Sequence, residues 1–271
     1  MQGASREALT TVRTHLGSVA ADADADALAR AAEGLFSVVT LLDREATLRR
    51  TLGDPTTESG AKDALLEGLL GAQVDGTALG LVKVVAAQRW SSPRHLVDAL
   101  EVLAATASFL AAQKDGQLDR VSDELFRFER ILAGAPELRA TLTDRGLAND
   151  RKKALLDGLL EGKASDSTRR LLETLVLAPR GRTLEDGLAQ FAELAADVRS
   201  RSLATVTTAV PLDEAQQRRL AASLSAQLGR EVQLQIEVDP SVVGGVLVRV
   251  GDEVIDGSTR SRLAEARRAL A

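Results

Sequence analysis

Residues 28–70 read LARAAEGLFSVVTLLDREATLRRTLGDPTTESGAKDALLEGLL, and residues 118–160 read LDRVSDELFRFERILAGAPELRATLTDRGLANDRKKALLDGLL. The two stretches align without a gap at a constant offset of 90, and 17 of their 43 positions are identical. Leu35-Phe36 returns as Leu125-Phe126, Leu48-Arg49 as Leu138-Arg139, and Thr51-Leu52 as Thr141-Leu142. Lys62, Ala64-Leu65-Leu66 and Gly68-Leu69-Leu70 return as Lys152, Ala154-Leu155-Leu156 and Gly158-Leu159-Leu160. A register held across several apolar runs and the breakers between them marks an internal repeat rather than shared composition. The identities are mostly apolar, so the repeat describes a core common to two copies, not a common site.

Within each copy the apolar period is helical. Leu35, Val38, Val39 and Leu42 fall on one face of a 3.6-residue helix, as do Leu65, Leu66, Leu69, Leu70 and Leu81, Val82, Val85. Gly53-Asp54-Pro55, Gly71, Asp75-Gly76 and Ser92-Pro93 interrupt these runs. The pattern predicts a string of helices of about 10–18 residues with short turns, as in a bundle. After about residue 201 the period becomes two. Leu203 to Val210 reads as a strand stopped by Pro211, and Asp213 as the N-cap of an amphipathic helix from Glu214 to Leu228 ended by Gly229. Glu231 to Val238 alternates strictly, and Val246–Val250 and Glu253–Ile255 flank the turn signal Gly251-Asp252. Asp256-Gly257-Ser258 then opens a last helix to Ala271, capped by Ser258. The expected fold is mainly α: two tandem helical bundles, residues 1–105 and 106–200, followed by a small α+β domain, residues 201–271.

Composition narrows the function. The 271 residues carry 34 Lys+Arg and 39 Asp+Glu, a net charge of −5, which argues against a phosphate-backbone binder. There is no Cys, which excludes disulfides, Cys-ligated zinc, iron–sulfur clusters and thiol nucleophiles. Aromatics are 2%, too few for stacking platforms on single-stranded nucleic acid. The N-terminus, MQGASREALTTVR, lacks a basic start followed by an apolar run, so no signal peptide is read there. The longest uncharged stretch beside an apolar segment, Val102 to Gln113, is twelve residues, against about 20 for a membrane span. The expectation is a soluble chain made in the cytoplasm that reaches a membrane complex only through a partner.

Each candidate for chemistry has a plainer account. Gly244-Gly245 and Gly251 lead into strands with no following Lys, so they read as tight turns rather than a phosphate loop. Asp239, Asp252, Glu253 and Asp256 lack the odd spacing and position-twelve Glu of a calcium loop and read as turn and cap residues. Asp22, Asp24 and Asp26 read as a loop and helix N-terminus. His15 and His95, the only two histidines, have no ligand or nucleophile motif beside them. Trp90 reads as a plug at the end of the first bundle, or as a partner anchor. Arg260, Arg262, Arg267 and Arg268 make the last helix basic, either as ordinary charges near a helix C-terminus or as a dock for an acidic partner. No catalytic, cofactor-binding or metal-ligating residue is singled out, and no cofactor is expected.

The tail carries one specific pattern. Ala209-Val210-Pro211-Leu212, a helix, then Asp239, Gly244-Gly245, a strand, Gly251-Asp252, a strand, and Asp256-Gly257-Ser258 before a helix with Leu263 resembles the delta subunit of the rotary F-type ATP synthase, the oligomycin-sensitivity-conferring protein family. The second helical copy, from about Ala107 to Ala196, is similar to that family's N-terminal six-helix bundle. The first 105 or so residues depart from ordinary members; such long forms resemble those of actinobacteria, and the Ala-, Arg- and Asp-rich, Lys-poor composition suits a GC-rich genome. The resemblance implies a non-catalytic stator subunit. Its bundle would grip N-terminal helices of the alpha subunits, and its C-terminal domain the C-terminal end of the b subunits. It would sit peripherally at the cytoplasmic face of the cell membrane, so that rotation is coupled to ATP synthesis. Without the resemblance, a free helical-repeat adaptor fits the same residues. An enzyme built on the α+β tail would need a pocket of shifted titratable groups, and the tail offers only turn-like acids.

Overall fold

The computed structural model describes residues 3–228, 232–239, 242, 244–250 and 253–256. Eleven helices come first: α1 Ala4–Asp22, α2 Ala25–Arg44, α3 Ala46–Gly53, α4 Ser59–Leu70, α5 Gly76–Ala87, α6 Pro93–Lys114, α7 Leu118–Gly134, α8 Pro136–Thr143, α9 Asn149–Leu160, α10 Asp166–Leu177 and α11 Leu184–Ser202. They are followed by β1 Leu203–Thr208, α12 Glu214–Leu228, β2 Gln233–Val238, β3 Val246–Val250 and β4 Glu253–Asp256. The chain is mainly α with a small α+β part, and it divides into two compact units, Met1–Ala195 and Ala196–Ala271.

The repeat is visible in the helix boundaries. Adding 90 carries α3, α4 and α5 onto the bounds of α8, α9 and α10, and carries α2 onto residues 115–134, which hold α7. The same shift carries α1 onto residues 94–112, inside α6, and adding 91 carries the start of α6 onto Leu184, the start of α11. Helix α6 is therefore the sixth helix of the first half and the first helix of the second. Residue 105 lies at its middle.

That double role explains the sequence of α6. It packs against α1, α2, α3 and α5 of the first half and against α7 and α10 of the second. Every residue from Glu101 to Phe109 is buried. A helix apolar on all sides is one enclosed on all sides. By length and composition α6 would also cross a membrane, but 83% of its apolar window is buried inside the protein, so it is a core helix. The twelve uncharged residues noted in the sequence lie in its C-terminal part, and the helix extends N-terminally from them through Glu101 to its start at Pro93. Phe109 meets Phe191 of α11 edge to face, with centroids 6.4 Å apart and planes at 80°.

Local chemistry sets the helix starts. Asp24 caps α2 by accepting from the Ala27 N–H at 2.7 Å, and Asp26 lies in the first turn. Asp75 caps α5 through the N–H groups of Thr77 and Ala78. Ser92 caps α6, with Pro93 in the first turn, where its missing N–H costs nothing. Lys62 is buried and donates to the Ala86 carbonyl at 3.0 Å, placing a cation at the C-terminal end of α5; burial lowers its pKa below the usual lysine range.

In the second unit the strands run in the order β2-β1-β3-β4, with β1 and β2 parallel and the other pairs antiparallel. The parallel pair requires a crossover, and α12 supplies it. Ala204, Val206, Val248 and Val250 form one buried sheet face, closed by Leu220 and Leu224 of α12, one turn apart. A reciprocal capping box starts α12: the Gln216 N–H donates to Asp213 Oδ1 at 2.7 Å, and Gln216 Oε1 accepts from the Asp213 N–H at 2.9 Å. The turn Gly251-Asp252, the helix from Ser258 to Ala271 and its arginines Arg260, Arg262, Arg267 and Arg268 lie outside the described residues, as do Gly229 and Gly257.

Two predictions follow from this packing. Leu103 is fully buried in α6, so Leu103→Ala should cost about 2–5 kcal/mol. Because both halves use that helix, guanidinium unfolding followed by helical circular dichroism should move their loss of structure together in one transition. Helical glycines should split by location. A Cβ on Gly34 would lie 2.7 Å from the Ala78 Cβ, whereas one on Gly80 meets nothing within 4 Å. Gly34→Ala should lower the thermal midpoint, since overpacking costs about 1–3 kcal/mol. Gly80→Ala should raise stability by about 0.5–1 kcal/mol.

Candidate functional site

Functional geometry in this protein lies in helix faces and the joints between them. A groove of about 400 Å³ separates α2 from α9 and α10. Phe36 and Thr40 form part of its α2 wall, with Lys153 and Arg170 opposite. Arg170 pairs with Glu33 across it at 3.4 Å, and Lys153 with Glu173 along it. Its charges are mixed and mostly neutralised in pairs. It is a joint between the two halves rather than a receptacle for a small molecule.

Positions 90 apart show how each half solved the same packing problem. In the first half Gly34 lets α2 approach Ala78 of α5 closely. In the second, Glu124 stands at the equivalent place, and its carboxylate accepts from Thr168 Oγ1 at 2.6 Å, Ser165 Oγ at 2.8 Å, the Ser165 N–H at 2.9 Å and Arg120 Nε at 2.9 Å. Burial pushes the Glu124 carboxyl up, but those donors together outweigh it and hold the group below its ordinary 4.5.

Trp90 is buried and donates from its indole N–H to the Val85 carbonyl at 2.8 Å, closing the end of the first half. In the corresponding turn of the second half, between α10 and α11, Arg180 is held at φ 51. Arg180 pairs with buried Glu101 and, at 3.3 Å, with Asp98 of α6. Arg182 bonds the other Glu101 oxygen at 2.6 Å, bonds Gln190 at 2.6 Å, and lies 6.0 Å from the Phe191 ring centroid. An aromatic plug in one half is thus an ion-pair plug in the other.

The remaining candidates are placed separately. His15 is exposed on α1; His95, on α6, shares a hydrogen bond with Ser5 Oγ at 2.9 Å. Among the described residues no three His, Asp or Glu side chains gather as a metal site. The Asp239 N–H donates to the Thr208 carbonyl at 2.8 Å, and its own carbonyl accepts from Val242. Gly244 and Gly245 have φ of 73° and 82°, the left-handed region that a tight turn into β3 demands of glycine. Glu253 and Asp256 bound β4, and Asp252 lies outside the described residues. Sequence reading passed over Glu101, Glu124, Arg180 and Arg182. Comparing residues 90 apart for their differences, rather than their identities, was the available signal.

The family model described as the ATP synthase delta (OSCP) subunit matches residues 100–270, from within α6 through the α+β unit. The chain belongs to the ATP synthase delta (OSCP) family. The ATP synthase subunit delta of Streptomyces coelicolor is 51% identical over 271 residues, covering 100% of this chain and 98% of that one. That of Thermobifida fusca is 46% identical over 271 residues, covering 100% of both. A solved chain from the cryo-EM structure of the Toxoplasma gondii mitochondrial ATP synthase hexamer is 26% identical, with a TM-score of 0.30, covering 61% of this chain and 94% of that one. The bacterial delta relatives are matched along their whole length, so the helical segment ahead of the family match is theirs also. Delta/OSCP is a structural, non-catalytic subunit of the ATP synthase peripheral stalk, within a membrane-associated complex.

The Glu124 network gives a pH prediction. A carboxyl with a lowered folded pKa stabilises the fold above its unfolded value, and that contribution is lost as pH falls through the folded pKa. Glu124→Gln should therefore lower the thermal midpoint at pH 7, and the gap to wild type should close as pH drops below about 4.5, measured by circular dichroism melts.

Proposed function

We propose that this chain is the connector between the catalytic head of the ATP synthase and the membrane-anchored part of its peripheral stalk. The helical unit grips N-terminal helices of the alpha subunits, the α+β unit binds the C-terminal end of the b subunits, and together they hold the head against the torque of the rotor. The chain works at the cytoplasmic face of the cell membrane and is held there by the complex. Residues 1–105 and 106–200 carry the two copies of the helical repeat, joined through the shared helix α6, and residues 201–271 form the stalk-binding domain.

The observation that carries this reading is the family match across residues 100–270, which takes in helices of the second half and the α+β part together. The physics agrees. A helical bundle offers grooves of the kind that take an amphipathic helix along its apolar face. A static connector needs slow dissociation under load, and therefore extensive buried area with apolar anchors rather than a reacting group.

Calorimetric titration of the full chain with a peptide of the source organism's alpha-subunit N-terminus tests the grip. The expected result is saturable one-to-one binding. Failure of both the peptide and the assembled head to bind would overturn the stator reading in favour of a free helical adaptor.

A further inference from the structure

An aspartate followed by glycine is open to backbone isomerisation, because the glycine nitrogen has no side chain beside it to shield it from the preceding carboxyl. Among the described residues there are four such pairs: Asp75-Gly76, Asp115-Gly116, Asp157-Gly158 and Asp186-Gly187. The fold protects three of them. Asp75 commits one carboxylate oxygen to the N–H groups of Thr77 and Ala78, at 2.8 and 3.0 Å, and its other oxygen is buried. Asp157 and Gly158 both lie inside α9, and the Asp157 carbonyl accepts from the Glu161 N–H at 2.9 Å, so a ring forms there only if that turn unwinds. Asp186 and Gly187 lie at the start of α11, where Asp186 exchanges hydrogen bonds with Thr183. Gly187 is buried, and a Cβ on it would lie 2.6 Å from Leu175 Cδ2.

Asp115-Gly116 lies in the turn between α6 and α7. Both residues are exposed, and among the described residues no hydrogen bond or ion pair holds the Asp115 carboxylate. A Cβ on Gly116 would meet nothing within 4 Å. The turn is a Schellman motif: Gly116, at φ 66, donates to the Gln113 carbonyl at 2.9 Å, and Gln117 donates to the Ala112 carbonyl at 2.6 Å. Those two bonds end the shared helix and set the direction in which buried Leu118 starts α7.

We propose that Asp115 is a site of slow, spontaneous isomerisation to isoaspartate, and that the change unlocks the joint between α6 and α7. The Gly116 amide nitrogen attacks Cγ of the protonated Asp115 carboxyl. The new N–C bond forms, the nitrogen loses its proton, and a carboxyl oxygen leaves as water, which closes a five-membered succinimide. Water then opens the ring at the Asp115 main-chain carbonyl, and the chain continues through Cγ instead. One water leaves and one enters, so the mass is unchanged and no oxidant, reductant or cofactor takes part. The product has one more backbone methylene between Asp115 Cα and Gly116 N. That added length moves the Gly116 and Gln117 N–H groups out of register with the Gln113 and Ala112 carbonyls. The freed α-carboxylate also lies at the C-terminal end of α6, where negative charge is unfavourable.

The test ages the full chain in warm, neutral buffer made with heavy-oxygen water. The chain is then digested with the endoproteinase that cuts before aspartate but not before isoaspartate, and its peptides are mapped by mass spectrometry. The peptide spanning Asp115 should gain heavy oxygen and resist that cut. Its rate should exceed those of the other three pairs by about tenfold, since each further hydrogen bond to be broken is worth up to about one such factor. Uptake at Asp75, Asp157 or Asp186 as fast as at Asp115, or none at Asp115, overturns the site. Asp115→Glu keeps the charge but would have to close a six-membered ring, which forms far more slowly. Ageing should lower the melting midpoint of the wild type and leave that of Asp115→Glu in place. Equal losses in the two would overturn the unlocking of the joint.

Discussion

The helical unit depends on one constraint: α6 has no solvent face to spare. A helix serving two bundles at once must be apolar around its whole circumference, and its few polar groups must be absorbed locally. Ala104, Ala105, Ala107 and Ser108 are small enough for neighbouring helices to approach from several directions. The Thr106 hydroxyl donates back to the Val102 carbonyl at 2.7 Å. Glu101, the charge among its buried residues, takes the guanidinium groups of Arg180 and Arg182. Removing one partner of such a cluster would leave an uncompensated buried charge, a cost of about 3–5 kcal/mol, so helix and turn constrain each other.

Around that shared helix the two halves have diverged by changing the chemistry of a contact while keeping its place. Gly34 brings two helices together by the absence of a side chain, whereas Glu124 holds the equivalent pair through three donors at the start of α10. The Glu124 solution adds direction and pH dependence where the Gly34 solution adds only proximity. Trp90 closes one end by apolar burial, and Arg180 closes the other by charge. Phe36 and Phe126 differ in neither identity nor register, only in what lies opposite, and that difference comes from being the inner or the outer half.

Sequence exposed the parts that obey periodicity. The repeat was visible because core positions of α2, α3 and α4 keep their residues at offset 90. The strands of the second unit were visible because a half-buried strand alternates, and α12 matched its expected span from Glu214 to Leu228. The sharing of α6 was not visible, for a physical reason. Helix α1 has an exposed face and α6 has none, so selection on the two helices differs, and only 3 of 19 positions agree between residues 4–22 and 94–112. The charge clusters were hidden because their partners lie far apart in the chain: Glu101 is about 80 residues from its arginines, and Glu124 about 40 from Ser165 and Thr168. No local spacing rule reaches that distance.

The shared helix also bears on the proposed mechanical role. Two bundles joined by a linker can pivot, because interfaces between domains are small and polar enough to shear. Two halves built on one continuous helix have no linker to bend. Relative movement between them would open the packing around Leu100, Leu103 and Phe109, all fully buried, and strip the counter-ions from Glu101. Close-packed interiors resist such displacement because they are bistable rather than continuously deformable. For a connector under torque, duplicating a bundle in this manner adds reach and contact surface without adding a hinge. A tandem arrangement with a flexible joint would add surface but lose stiffness where load must pass.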